Sequence, residues 1–210
     1  CRYCMPQKMT FTEKKDMLNL EQLKRLSSVF IKLGIKKIRI TGGEPLIRKD
    51  LIPFIKYLKT ILDAGFLKEI TMTTNGTLLK KYAEEIYECG IKRLNVSLDT
   101  LIPEKFNFIT NGGNLNEVLR GISKASEKGI KIKINCVLLK NFNEEEIIPL
   151  SKWCSKNKFI LSFIETMPLG EINYSRKEQF LPISFAKEII EKEFGLINSN
   201  YKTNGPSRYF

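Results

Sequence analysis

The chain has 210 residues, 42% of them hydrophobic, which is enough for one core and points to one domain spanning 1–210. It contains no histidine, so histidine-based zinc catalysis and nucleophile triads with a histidine base are excluded within these residues. The net charge of +12 is mostly lysine spread along the chain without a basic run, so solvated helix faces account for most of it, and no nucleic-acid stripe is present.

Taken in order, the chain opens on Cys1-Arg2-Tyr3-Cys4-Met5-Pro6, two thiols at a spacing that lets them share one iron–sulfur cluster or one zinc. From Asn19, the residues Leu20, Leu23, Leu26, Phe30 and Leu33 recur at helical spacing, and Gly34 stands where a left-handed cap ends a helix. Lys37 to Thr41 then alternates as a strand does. The same unit repeats: helix 50–64 and strand 70–74, helix 78–89 and strand 93–98, helix 115–128 and strand 131–138, helix 144–157 and strand 159–165. A loop is expected over 170–175, then one more amphipathic helix from Ile183 to Phe194 and a polar tail from Asn198. No apolar run is long enough to span a membrane and nothing resembles a cleaved signal, so the expected location is cytoplasmic. Of the five cysteines, Cys89, Cys136 and Cys154 stand alone at packing positions, which argues against a disulfide framework.

Helix and strand alternating in this way imply right-handed βαβ crossovers and a parallel sheet, open or rolled into a barrel. The strand faces favour the rolled form. Lys37, Arg39 and Thr41 share one face, as do Thr71, Thr73 and Asn75, then Arg93, Asn95, Ser97 and Asp99, then Lys131, Lys133 and Asn135. Opposite them lie Ile38 and Ile40, Ile70 and Met72, Leu94, Val96 and Leu98, and Ile132, Ile134 and Cys136. Helices are expected on the apolar side and a wet, cationic cavity on the other. Since a closed eight-stranded barrel fills its interior with branched side chains, a polar interior points to a wider or partly open barrel with an anionic ligand.

Gly42-Gly43-Glu44-Pro45 follows a strand directly, where paired glycines let a ligand approach backbone and the carboxylate can accept from an amine. With CRYC upstream, and with RITGGEPLIRKDL, TTNGTLL, NVSLDTL, KIKIN and FIETMP in this order, the chain resembles the GTP 3′,8-cyclase family of radical S-adenosylmethionine enzymes over essentially its whole length. The resemblance implies an α/β fold that is a partial, incomplete (β/α) barrel. Two [4Fe-4S] clusters and S-adenosylmethionine come with it as cofactors. Cys1 and Cys4 then match two ligands of the first cluster, and Tyr3, Gly43, Ser97 and Met167 match positions that contact S-adenosylmethionine. Arg39, Thr73 and Lys133 match positions that contact GTP, with Lys37 a weaker candidate for the triphosphate. The family's reaction takes hydrogen from ribose carbon 3′ of GTP, and that carbon attacks guanine carbon 8, the first step toward molybdenum cofactor.

By the same resemblance the first cluster cysteine and first strand are expected upstream of residue 1, and the second-cluster region beyond Phe210. An electron donor and a cyclic pyranopterin monophosphate synthase that takes the product are the implied partners, with no nucleic acid or membrane, and a homodimer is compatible with it. Ser162 stands where the family pattern leads one to expect an arginine. Three other readings stay open: a radical enzyme acting on a peptide, which would share CRYC and GGEP, a basic zinc-knuckle nucleic-acid module, which leaves the βα series unexplained, and a noncatalytic remnant.

Overall fold

The computed structural model describes residues 1–4, 12–167, 176–201 and 207–210. Met5 and Pro6 of the opening motif, Pro168, the loop expected over 170–175 and Gly205-Pro206 lie outside the described residues. Five strands, β1 (Lys37–Ile40), β2 (Glu69–Thr74), β3 (Arg93–Ser97), β4 (Lys131–Val137) and β5 (Ile160–Ile164), pair in parallel in the order of the sequence. Between and around them run helices α1 (Leu20–Lys32), α2 (Leu51–Asp63), α3 (Leu79–Glu88), α4 (Pro103–Thr110), α5 (Leu115–Glu127), α6 (Ile147–Lys156), α7 (Arg176–Gln179) and α8 (Ile183–Phe194). Parallel neighbours need crossovers of one hand, and a strand order that never reverses keeps those crossover helices on one side. The result is the incomplete barrel wall expected from the alternation.

Local chemistry sets the boundaries. α1 starts on a capping box in which the Asn19 side chain accepts from the Gln22 N–H and the Gln22 side chain accepts from the Asn19 N–H. α5 starts similarly, with the Asn114 side chain accepting from the Glu117 N–H. Two helices are absent from the sequence expectation, the four-residue α7 and α4, the latter eight residues opening on Pro103 and closed by Asn111 in the left-handed region at φ 62°. Both are too short to establish a helical period, so their residues read as connections.

The apolar strand faces carry the core as expected. Ile70 and Met72, Leu94 and Val96, and Ile132 and Ile134 pack with Ile55 and Leu58 of α2, Ala83 and Ile86 of α3, and Val118 and Ile122 of α5. Each of the larger side chains among them withdrawn from water contributes about 1.5 to 3 kcal/mol. α3 and α5 approach closely because Gly121 has no side chain: a Cβ there would meet Leu79 Cβ at 2.9 Å and the Gly76 carbonyl oxygen at 3.0 Å. A smaller cluster of Leu138, Ile147, Leu181 and Ala186 roots α8 against the end of β4 and the start of α6.

Register puts the polar residues in rows across the other face. Thr73, Asn95, Lys133 and Ile160 are successive partners on neighbouring strands, and Ser97, Asn135 and Ser162 form a row one step nearer the C-terminal ends. The four polar faces read from the sequence therefore coincide. The face is less wet and less cationic than expected. Lys133 is 9% exposed and Asp99 4%, because the chain's last described residues cover the first and Tyr3 covers the second. Glu69, two positions before Thr71, also faces this side and pairs with Arg93 at 2.9 Å and Lys37 at 3.3 Å.

Candidate active site at the C-terminal edge of the sheet

Loops that leave the C-terminal ends of β1 to β5 share one edge, and the cysteine-bearing segment docks there. The Arg2 N–H donates to the Ile109 carbonyl at 2.9 Å and its Nε to the Phe108 carbonyl at 2.8 Å, while the guanidinium carbon lies 4.0 Å from the Phe108 ring centroid. These contacts grip the last turn of α4, a helix that sequence reasoning missed. Tyr3 Oη donates to Asp99 Oδ2 at 2.7 Å, and Asp99 Oδ1 accepts from the Val137 N–H at 2.8 Å. Cys1 and Cys4 are left exposed beside this anchor, and the Cys4 N–H closes a turn onto the Cys1 carbonyl.

Burial decides the electrostatics of that anchor. Desolvation raises Asp99 to about 6, although the Val137 N–H and the Tyr3 hydroxyl both favour its ionised form. The Tyr3 phenol is pushed well up, first by burial and then by the Asp99 charge. Asn143 completes the joint by donating from Nδ2 to the Asp99 and Val137 carbonyls while its Oδ1 accepts from the Leu139 N–H.

Glu44 does something other than wait for an amine. Its Oε1 accepts from the Leu46 N–H and Thr74 Oγ1, and its Oε2 from Thr74 Oγ1 and the Asn75 N–H at 2.7 Å. The Gly76 N–H then donates to Thr74 Oγ1. The carboxylate is thus a clasp between the loops after β1 and β2. Gly42 and Gly43 are left with exposed backbone, and nothing lies within 4 Å of where a Cβ would stand on either. An equivalent clasp joins the loops after β3 and β4. Thr100 Oγ1 donates to both oxygens of Glu146, the Leu101 N–H donates to Glu146 Oε2, and the Ile102 N–H donates to Thr100 Oγ1. Glu146 is 4% exposed, with Lys105 Nζ 3.8 Å away. Neither clasp was read from the sequence; a Thr followed by amides that need acceptors was the only local sign.

The residues expected from the sequence to contact substrate and cofactor fall on this face or edge in most cases. Ser97 and Thr73 are half-buried on the polar rows, Gly43 is exposed at the edge, and Met167 follows β5 and is exposed. Arg39 is exposed on β1, one of the two edge strands, two positions before Thr41. Lys133 sits mid-sheet, its Nζ 3.4 Å from both Ser207 Oγ and Tyr209 Oη. Lys37 lies at the opposite end of β1 and is engaged by Glu69. Of the remaining cysteines, Cys89, Cys136 and Cys154 are buried, and burial raises all three thiols, Cys154 to about 12. Such thiols stay protonated and serve packing. Among the described residues no three His, Cys, Asp or Glu side chains come together to hold a metal, and no helix is long and apolar enough to cross a membrane.

A parallel sheet in unbroken order, covered by helices on one side and polar on the other, with two exposed cysteines pinned at its C-terminal edge, defines an α/β barrel-type protein whose ligand side is that edge. The chain belongs to the Radical SAM superfamily, whose family profile matches residues 1–154. It is 47% identical over 209 residues to a GTP 3′,8-cyclase of Mesorhizobium japonicum and 50% identical to one of Rhizobium etli. Both alignments cover 100% of this chain but 63% and 60% of those proteins, so the chain spans about three fifths of the curated relatives it matches. Among solved structures, Streptococcus suis SuiB bound to S-adenosylmethionine superposes with a TM-score of 0.68 at 21% identity, over 92% of this chain and 45% of that one. The protein anSMEcpe with bound AdoMet gives 0.69 at 20% identity, over 92% and 53%. At such identities these two establish the fold alone.

Proposed function

We propose that this protein is the barrel portion of a GTP 3′,8-cyclase, which uses S-adenosylmethionine to join ribose carbon 3′ of GTP to guanine carbon 8 and so opens molybdenum cofactor biosynthesis. The observation that carries the reading is identity of 47% to 50% with such cyclases along the entire chain. Membership of the superfamily implies an iron–sulfur cluster and S-adenosylmethionine. The donor set fits the cluster in part: Cys1 and Cys4 are exposed, soft donors three positions apart on an anchored loop, and the third thiolate is assigned to chain outside these residues. When bound, that cluster supplies the electron that splits the sulfonium of S-adenosylmethionine.

The chain's own residues bind and orient. Tyr3 holds the cysteine loop to Asp99, the exposed backbone at Gly43 gives the methionyl end of the nucleotide a close approach, and Glu44 braces the loop that carries that glycine. Ser97 and Met167 flank the same edge as the other S-adenosylmethionine contacts. Thr73 and Lys133 share a row on the polar face, and with Arg39 they are assigned to GTP, the two cations to its phosphates. Lys37 contributes less, being held by Glu69 at the far end of its strand. An electron donor and a synthase that consumes the cyclised product complete the proposed partners.

The test uses the full-length holoenzyme, kept anaerobic. GTP should be required for product formation and should bind about ten- to a hundredfold more weakly in Lys133→Ala and Arg39→Ala, the loss of one charge-assisted contact of about 1.5 to 3 kcal/mol. A cluster-loaded protein that cleaves S-adenosylmethionine for a peptide but ignores GTP would overturn the assignment.

A further inference from the structure

Lys133 is the most enclosed cation of the polar face, 9% exposed, and among the described residues no carboxylate lies within ion-pair distance of it. Its ammonium meets neutral groups instead. Ser207 Oγ and Tyr209 Oη each lie 3.4 Å from Nζ, and the Tyr209 ring centroid is 5.5 Å away. Those partners come from more than 70 residues along the chain, and they are themselves held. The Tyr209 carbonyl accepts from the Ser199 N–H at 3.1 Å, its ring meets Tyr201 edge-on at 4.8 Å, and Lys187 Nζ lies 4.6 Å from the Phe210 ring centroid.

We propose that Ser207 and Tyr209 are positioning residues, which hold the Lys133 ammonium in place on the polar face and leave its charge uncancelled for an anionic group of the substrate. The proposal rests on the reading of Lys133 as a GTP contact and adds to it the residues that aim it. The physical logic lies in the choice of partner. A buried lysine is costly unless its charge is solvated, and a carboxylate would solvate it but also neutralise it. Hydroxyl oxygens and a ring face solvate by dipole and quadrupole, so the full positive charge remains. Contacts of 3.4 Å are at the long end for hydrogen bonds, so the ammonium can shorten a new bond to a phosphate oxygen without first breaking a strong one. Arg93, by contrast, is tied to Glu69 at 2.9 Å and is a poor candidate for the same task.

The experiment is a double-mutant cycle on GTP affinity in the full-length holoenzyme, with Lys133→Ala, Tyr209→Ala and the pair, measured by calorimetry alongside S-adenosylmethionine affinity. Removing one ring and one neutral hydroxyl contact is expected to weaken GTP about five- to tenfold, against about two- to threefold for Tyr209→Phe, which keeps the ring. In the Lys133→Ala background, Tyr209→Ala should change GTP affinity by less than about twofold. S-adenosylmethionine should bind equally well throughout. If Lys133→Ala weakens GTP while Tyr209→Ala does not, the positioning role falls and the assignment of Lys133 stands. If Lys133→Ala has no effect, both fall. Tighter GTP binding in Tyr209→Ala would show the tail competing with the ligand and would equally overturn the proposal.

Discussion

Tyr3 Oη sits 2.7 Å from Asp99 Oδ2, across 96 residues of chain, and this bond ties the cysteine loop to the end of β3. It also gives the folded state a titration of its own. Burial raises Asp99 from the 3.8 of a solvated aspartate to about 6, so the folded protein binds that proton more tightly than the unfolded chain does. The resulting stabilisation is complete below about pH 4 and is lost as pH rises to about 6, a swing of about 2 to 3 kcal/mol. Asp99→Asn should remove it. Urea midpoints at pH 4.5 and pH 7 for both proteins isolate the effect from exposed carboxylates such as Glu84 and Glu145, whose lowered pKa values act in the opposite sense in each. An unchanged wild-type-minus-variant difference between the two pH values would refute the assignment.

The two carboxylate clasps differ in burial, and that difference orders their energies. Glu146→Ala leaves Thr100 Oγ1 and the Leu101 N–H facing a buried gap, with an expected cost of about 2 to 5 kcal/mol, while Lys105 keeps Glu145 and the Phe142 carbonyl. Glu44 is half-buried, so water can replace part of what it gives, and Glu44→Ala should cost about 1.5 to 3 kcal/mol. Denaturant titrations that placed Glu44→Ala as the more damaging change would contradict this order.

Gly43→Val separates binding from folding. Nothing lies within 4 Å of a Cβ at Gly43 and its φ is not in the left-handed region, so the valine fits the protein itself. Thermal stability should therefore stay within about 0.5 kcal/mol of wild type. S-adenosylmethionine should be lost from equilibrium binding, since the branched side chain fills the approach to backbone. Normal binding by the valine variant would remove Gly43 from that site.

Gly121 offers the reverse case, a glycine needed for packing alone. Gly121→Ala drives a methyl against Leu79 Cβ and the Gly76 carbonyl oxygen, both in the α3 side of the interface with α5. Separating the two helices should cost about 1 to 3 kcal/mol in chemical denaturation. A variant as stable as wild type would mean that the pair has slack the geometry denies.

Period-based features were legible in the sequence and long-range partnerships were not. KIRI, RLNVS and KIKINCV alternate cleanly, so their faces could be assigned before any coordinate, and Ile183–Phe194 was bounded as the structure bounds it. Lys133 could be placed on the polar face in the same way, but its cover by Ser207 and Tyr209 could not, because the tail has no period. Glu44 read as an acceptor for a ligand amine, but its partners Thr74 and Asn75, thirty positions on, could not be foreseen. A carboxylate's appetite for donors is visible in sequence, whereas which donors reach it is decided by loop paths. The Cys1 and Cys4 pair stands out in the sequence for the opposite reason, since the spacing between them is local.

The clasps also change how the C-terminal rim should breathe. The amides of Asn75 and Leu101 lie outside every strand, yet each donates to a carboxylate held by a second residue. They should exchange hydrogen with solvent on the timescale of the sheet, because releasing them requires two neighbouring loops to part together. The Arg2 amide, held to a single carbonyl, that of Ile109, should exchange far sooner. Isotope labelling would then trace a protected rim carrying a fast-opening cysteine loop, a division of rigidity that lets the loop move without loosening the barrel beneath it.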